Sequence, residues 1–70
     1  MYYTYAIKSK VHNYIYVGIT NNLQRRISQH NKGYNRSTKP HRPFELIYYE
    51  VFPDREKAHQ REKYKSGVYN

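Results

Sequence analysis

The 70-residue chain contains five carboxylates, Glu45, Glu50, Asp54, Glu56 and Glu62, and four histidines, His12, His30, His41 and His59. The acids are too few and too dispersed for a two-metal nuclease or polymerase, whose carboxylates converge on ions about 3.5–4 Å apart. The same scarcity argues against a paired-carboxylate glycosidase or an aspartic dyad. No P-loop, GxSxG or HExxH pattern occurs. No two histidines are spaced to share a helix face, and cysteine is absent, so neither a histidine metal cluster nor a Cys-ligated zinc or iron–sulfur module is expected. What remains is a set of tyrosines and arginines with one histidine and one isolated glutamate. Such a set suits cleavage of a phosphodiester with a single metal ion.

The charge points to the same class of partner. Lys8, Lys10, Arg25, Arg26, Lys32, Arg36, Lys39 and Arg42 all lie in residues 1–44, which hold no acid, so the net charge of +8 resides there while residues 45–70 balance. Bases interleaved with aromatics suit a polyanion, because each phosphate neutralised releases condensed counterions. Nucleic acid is therefore the expected partner. An anionic membrane fits less well, since no amphipathic helix with a broad apolar face accompanies the charge. The sequence shows neither the apolar run of about 7–15 residues of a secretory signal nor the roughly 20 of a membrane span, so a soluble cytoplasmic protein is expected. It also shows no broad apolar patch of the kind a protein-interaction subunit would need.

The elements that must position these side chains follow from periodicity. Ile, Leu, Val and Phe number only 13, but ten tyrosines supply apolar rings with polar tips. A small tyrosine-rich core with a margin of about 3–5 kcal/mol is expected for one domain, residues 1–70. Tyr3, Tyr5 and Ile7 alternate with Thr4, Ala6 and Lys8, and Tyr14 to Ile19 is β-branched and aromatic, which predicts an antiparallel hairpin. In its second strand Ile15, Val17 and Ile19 share an ordinary core face, while Tyr14, Tyr16 and Gly18 share a tyrosine-lined face opened at the glycine. Thr20, Asn21 and Asn22 are N-cap candidates for a helix from about Asn22 to Asn31, stopped by Gly33. On it Arg26 and His30 lie four apart beside the Leu23/Ile27 stripe, at the expected edge of the packed surface. Tyr34 to Pro43 reads as a loop presenting charge, and Phe44 to Phe52 as a third strand. Pro53-Asp54 caps a second helix to about Lys65, ended by Ser66-Gly67. Ala58 is its only small apolar residue, so the face toward the sheet continues through Arg61, Glu62 and Lys65. The fold class is α/β (α+β): a small three-stranded antiparallel sheet flanked by helices, in the order β-β-α-β-α.

These residues resemble the GIY-YIG nuclease family. Its first motif corresponds to Tyr3-Thr4-Tyr5 and its second to Tyr16-Val17-Gly18, with Tyr5 and Tyr16 eleven positions apart. Residues 21–30 resemble the segment that carries the family's arginine and, four residues later, a histidine or tyrosine, and His59-Gln60-Arg61-Glu62-Lys63 resembles its glutamate helix. The similarity covers residues 2 to 67 and looks closest to a small single-domain bacterial branch, similar in its core to the nucleotide-excision incision subunit. Tyr3 stands where the family's first motif has glycine. Family members usually continue into a segment with an asparagine near the site, and whether Asn70 takes that place is open.

The resemblance implies a metal-dependent DNA endonuclease acting by water attack in line with the leaving oxygen. Glu62 would hold one divalent ion, magnesium or manganese, and Arg26 would meet the scissile phosphate. Tyr5 and Tyr16 would line the cleft, and Gly18 would allow close backbone approach. The general base is open between Tyr5, whose phenol would need Lys8, Arg26 and the metal to lower a pKa near 10, and His30, whose ordinary value is about 6.5. Lys8, Lys10, Arg25, Arg36, Lys39 and Arg42 are the expected nucleic-acid contacts. Damaged or branched DNA is the implied substrate, and a partner protein could supply specificity, because a domain this small offers little surface for sequence readout. The alternative is a non-catalytic nucleic-acid-binding module with the same fold.

Overall fold

The computed structural model describes residues 1–69, with side chains through residue 65. The alternating N-terminal segment forms β1 (Tyr2–Ser9), the β-branched run forms β2 (Ile15–Thr20), and the third expected strand is β3 (Phe44–Phe52). Both pairings are antiparallel and the sheet order is β2-β1-β3, so β1 is the centre of an α+β fold in the expected β-β-α-β-α order. The register sets Tyr5 opposite Gly18 and Tyr49, and Ala6 opposite Val17 and Tyr48. A shift between Ala6 and Ile7 then brings Ile7 opposite Leu46. Because side chains alternate across a strand, Tyr5, Ile7, Tyr16 and Gly18 share one face and Thr4, Ala6 and Val17 the other. The first helix, α1 (Leu23–Lys32), covers the Tyr5 face, and the second, α2 (Arg55–Tyr69), covers the Thr4 face.

Local signals account for the helix ends. Of the three N-cap candidates Asn22 serves α1, its side chain accepting the Arg25 N–H at 3.1 Å. Gly33 closes the helix at φ 81°, a left-handed conformation that glycine adopts without a Cβ clash. Asp54 caps α2 by accepting the Lys57 N–H at 2.9 Å. Ser66-Gly67 does not end α2, which runs to Tyr69. A glycine costs a helix about 1 kcal/mol but removes no backbone donor, so it weakens the helix without stopping it. The expected loop before β3 contains one 3₁₀ turn, Lys39–His41. The loop is fastened where it enters β3, since Asn31 Oδ1 accepts the Phe44 N–H at 2.7 Å and Pro43 O accepts the Lys10 N–H at 2.9 Å.

Both sheet faces are packed. On the α1 side Tyr5, Ile7 and Phe44 are buried, with Tyr14, Tyr16, Leu23 and Ile27 half-buried around them, so the tyrosine-lined face holds the main hydrophobic cluster. On the α2 side Ala6, Val17 and Ala58 are buried, and Thr4 Oγ1 donates to Ala58 O at 2.6 Å. The charged stripe of α2 is partnered: Arg61 Nε lies 3.1 Å from Glu50 Oε1, and Lys65 Nζ sits 4.4 Å from the centre of the Tyr48 ring. Tyr48 also donates its hydroxyl proton to Glu50. One expectation fails. Leu46, Ile47, Tyr49 and Val51 of the edge strand β3 are 38 to 53% exposed, an apolar surface that the pattern did not disclose, because ten-residue α1 is too short to cover the whole face. Among the described residues no helix is long and apolar enough to cross a membrane.

Candidate functional site

At the middle of β1 the Tyr5 hydroxyl lies 2.8 Å from His30 Nε2, and the other ring nitrogen, Nδ1, lies 2.9 Å from Thr38 Oγ1. All three side chains are fully buried. His30 is therefore not at the edge of the packed surface, where its place beside the Leu23/Ile27 stripe had suggested; the loop carrying Thr38 closes over it. Burial, reinforced by the nearby Arg26 charge, pushes the His30 imidazole down to about 4, so it is neutral at pH 7. Burial pushes the Tyr5 phenol up to about 12 against the lowering effect of the nearby Arg26 guanidinium. Both groups are thus neutral at pH 7 and joined by one hydrogen bond. Lys8 is not among the groups that act on Tyr5: its register with Ile15 and Glu45 places it on the Thr4 side of the sheet.

Tyr16 flanks this pair. Its ring centre is 5.0 Å from that of His30 and 6.3 Å from that of Tyr5, and it is half-buried where Tyr5 is sealed. Gly18 makes the approach possible. A Cβ there would stand 2.8 Å from the Tyr5 hydroxyl and 2.9 Å from Tyr16 Cε2, closer than packed atoms allow. Arg26, half-buried as its helical position suggested, donates to Gln29 Oε1 at 3.2 Å, and its charge acts on the Tyr5 phenol. It has no carboxylate partner among the described residues. Arg25 is exposed and donates instead to Asn21 Oδ1 at 3.3 Å.

The remaining expected residues divide between the two sides of the sheet. Arg36, Lys39 and Arg42 are exposed on the loop that follows α1; Arg42 Nη1 donates to Lys39 O at 3.2 Å and lies against Gly33. Lys10 joins them through its backbone bond to Pro43. Glu62 is carried by α2, which packs chiefly on β2 and β1 from the Thr4 side. Its Oε1 is 3.5 Å from His59 Nδ1 and its side chain is 23% exposed. The sheet therefore lies between the helices bearing Arg26, on the β3 and β1 side, and Glu62, chiefly on the β2 and β1 side. Asn70 lies outside the described residues.

Two groupings escaped the sequence reading. Thr38, eight residues beyond His30 in a run of turn-forming residues, carries no periodic signal of its burial. His12 and His41 were dismissed on linear spacing, yet their Nδ1 atoms lie 3.1 Å apart across two loops, with the His41 ring stacked on Tyr14 at 3.8 Å.

A buried tyrosine and histidine from a hairpin and a helix, a second tyrosine ahead of a glycine, and an arginine one turn before the histidine with no acid partner among the described residues are the elements of one nuclease family. The GIY-YIG catalytic domain matches residues 1–70, and the chain belongs to the GIY-YIG family. It is similar to a UPF0213 protein of Clostridium perfringens, 40% identical over 65 residues that cover 91% of this chain and 69% of that one. A UPF0213 protein of Staphylococcus haemolyticus is 40% identical over 62 residues, covering 87% and 74% respectively. The UPF0213 protein YazA of Bacillus subtilis is 39% identical over 64 residues, 90% of this chain and 64% of the relative. No solved structure matches.

Proposed function

We propose that the chain is a metal-dependent DNA endonuclease, cleaving phosphodiester bonds by in-line attack of water with one divalent ion. The observation that carries this reading is Arg26. Its guanidinium donates to a neutral acceptor, Gln29, and no acid among the described residues neutralises it. A fixed, uncompensated guanidinium is a ready site for a phosphate, whose oxygens match its planar fork.

Glu62 would hold the ion. Among the described residues no three His, Cys, Asp or Glu side chains converge, so the donor set does not form a closed protein cage. One partly exposed carboxylate does suit magnesium or manganese, which retain several waters and are commonly bound through one or two carboxylates and substrate phosphates. Bound there, the ion would polarise the phosphate and neutralise the leaving oxygen. Arg26 would hold the phosphoryl group and offset the charge that develops on its oxygens. Half-buried Tyr16 would form the cleft wall that orients water, with the buried Tyr5–His30 pair behind it. Arg25, Lys10, Arg36, Lys39 and Arg42 would track the DNA backbone, leaving specificity to DNA structure, damaged or branched, or to a partner protein.

Supercoiled plasmid and branched and single-stranded oligonucleotides, incubated with magnesium, manganese or EDTA, test the proposal directly. Metal-dependent nicking that disappears in Glu62→Ala is the expected result. Retention of DNA without cleavage under any metal would replace the proposal with the binding module.

A further inference from the structure

His12, in the connection between β1 and β2, and His41, in the 3₁₀ turn that precedes β3, turn their Nδ1 atoms toward one another at 3.1 Å. A ring nitrogen without a proton presents a lone pair, and two lone pairs at that distance repel unless a positive centre lies between them. A shared proton is one such centre and a metal ion is another. The separation fits the metal: nitrogens about 2.0–2.1 Å from a zinc ion and 3.1 Å from each other subtend roughly 100° at it, between the square and the tetrahedral angle.

Both ligands are already held in place by the fold. The His41 ring is stacked on Tyr14 with centres 3.8 Å apart and planes within 7°, and the His12 ring stands at 82° to it. Ser9 Oγ accepts the Val11 N–H at 3.1 Å and the His12 N–H at 2.9 Å, which shapes the turn carrying His12. Thr38 O accepts the His41 N–H at 2.9 Å, and the Lys10 N–H bond to Pro43 O, also 2.9 Å, ties the two loops together beside the pair. Ligands fixed in this way lose little freedom on binding. The surroundings select the ion. Residues 1–44 hold no acid and the flanking charges are Lys10, Lys39 and Arg42, so magnesium, which seeks carboxylate oxygen, finds no ligand, whereas imidazole suits zinc, nickel and copper.

We propose that His12 and His41 form a two-histidine site for a late first-row divalent ion of the zinc class. No third His, Cys, Asp or Glu joins them among the described residues, so water completes the coordination. The bound ion staples the β1–β2 connection to the loop that follows α1, the loop whose Thr38 lies 2.9 Å from His30 and covers it. The site is separate from Glu62, and the inference stands or falls independently of the nuclease reading.

The test is a zinc titration of the intact protein, free of any added histidine tag, followed by NMR of the individual imidazole rings at about pH 7.5, where unprotonated nitrogen is available. Reading each ring separates this pair from His59, which lies 3.5 Å from Glu62. The His12 and His41 signals should shift together with one half-saturation concentration, and magnesium should move neither. His41→Ala should raise the half-saturation concentration at His12 about tenfold or more, and His12→Ala should do the same at His41, because two ligands on one frame bind as one. With zinc at about ten times half-saturation, hydrogen exchange of the Lys10 and His41 amides should slow about tenfold in the wild type. Separate half-saturation points, a smaller change in the alanine variants, an equal response to magnesium, or amide exchange untouched by zinc would each overturn the proposal and leave the pair joined by a proton alone. Should either variant fail to fold, the joint titration and the amide exchange of the wild type still decide the matter.

Discussion

The Tyr5 hydroxyl sits 2.8 Å from His30 Nε2, and neither side chain reaches the surface. With the phenol held up at about 12 and the imidazole down at about 4, the pair keeps one protonation state between those values. Tyr5→Phe would leave His30 Nε2 buried without its hydrogen-bond partner. The expected loss is about 1–3 kcal/mol in urea unfolding at pH 7, against a few tenths for half-buried Tyr16→Phe. Equal stability losses would show that the Tyr5 hydroxyl is not the buried partner described.

Acid should weaken the fold through His30. The folded value of about 4 lies below the ordinary 6.5 of the unfolded chain, so between the two it is the unfolded state that binds the extra proton. The His30 contribution is complete above pH 6.5 and is lost as pH falls toward 4. Stability measured from pH 7 to 4 should fall less steeply in His30→Gln, by up to about one proton at mid-window. Identical slopes in the two proteins would assign the acid loss to carboxylates.

Much of this was legible in the sequence, and the gaps have physical causes. FELIYYEVF is β-branched and aromatic between two prolines, so β3 was bounded to the residue. Asn22 and Gly33 marked the ends of α1 through side-chain capping and left-handed backbone, both local properties. Spacing also put Arg26 and His30 on one face. It could not say how deep His30 would lie, because depth is set by a loop whose closing residue, Thr38, is fixed by tertiary contact. Nor could it say that His12 would meet His41, or that the apolar side chains of β3 would outrun the cover of α1.

Gly18 offers a steric test of the same cleft. Its missing Cβ would fall within 3.0 Å of both the Tyr5 and Tyr16 rings, so Gly18→Ala must push one tyrosine aside. Overpacking of this kind costs about 1–3 kcal/mol. Chemical denaturation and the near-ultraviolet tyrosine signal should both change, and a variant as stable as wild type would show that the rings have room to spare.

The two neighbouring arginines should separate chemistry from attraction. Arg26 is half-buried and held by Gln29 beside the Tyr5 phenol on which its charge acts, whereas the Arg25 side chain is exposed and tethered only to Asn21. Removing a donor aimed at transition-state charge costs about 10²–10³ in kcat. Removing a peripheral phosphate contact weakens binding about equally for all sequences and lowers the salt dependence of log K by about one. Arg26→Ala should therefore abolish most turnover while keeping much of the DNA affinity, and Arg25→Ala should do the reverse. Binding titrations at several salt concentrations, run beside single-turnover cleavage, separate the two effects. Equal losses of turnover in the two variants would mean that the phosphate is held elsewhere than at Arg26.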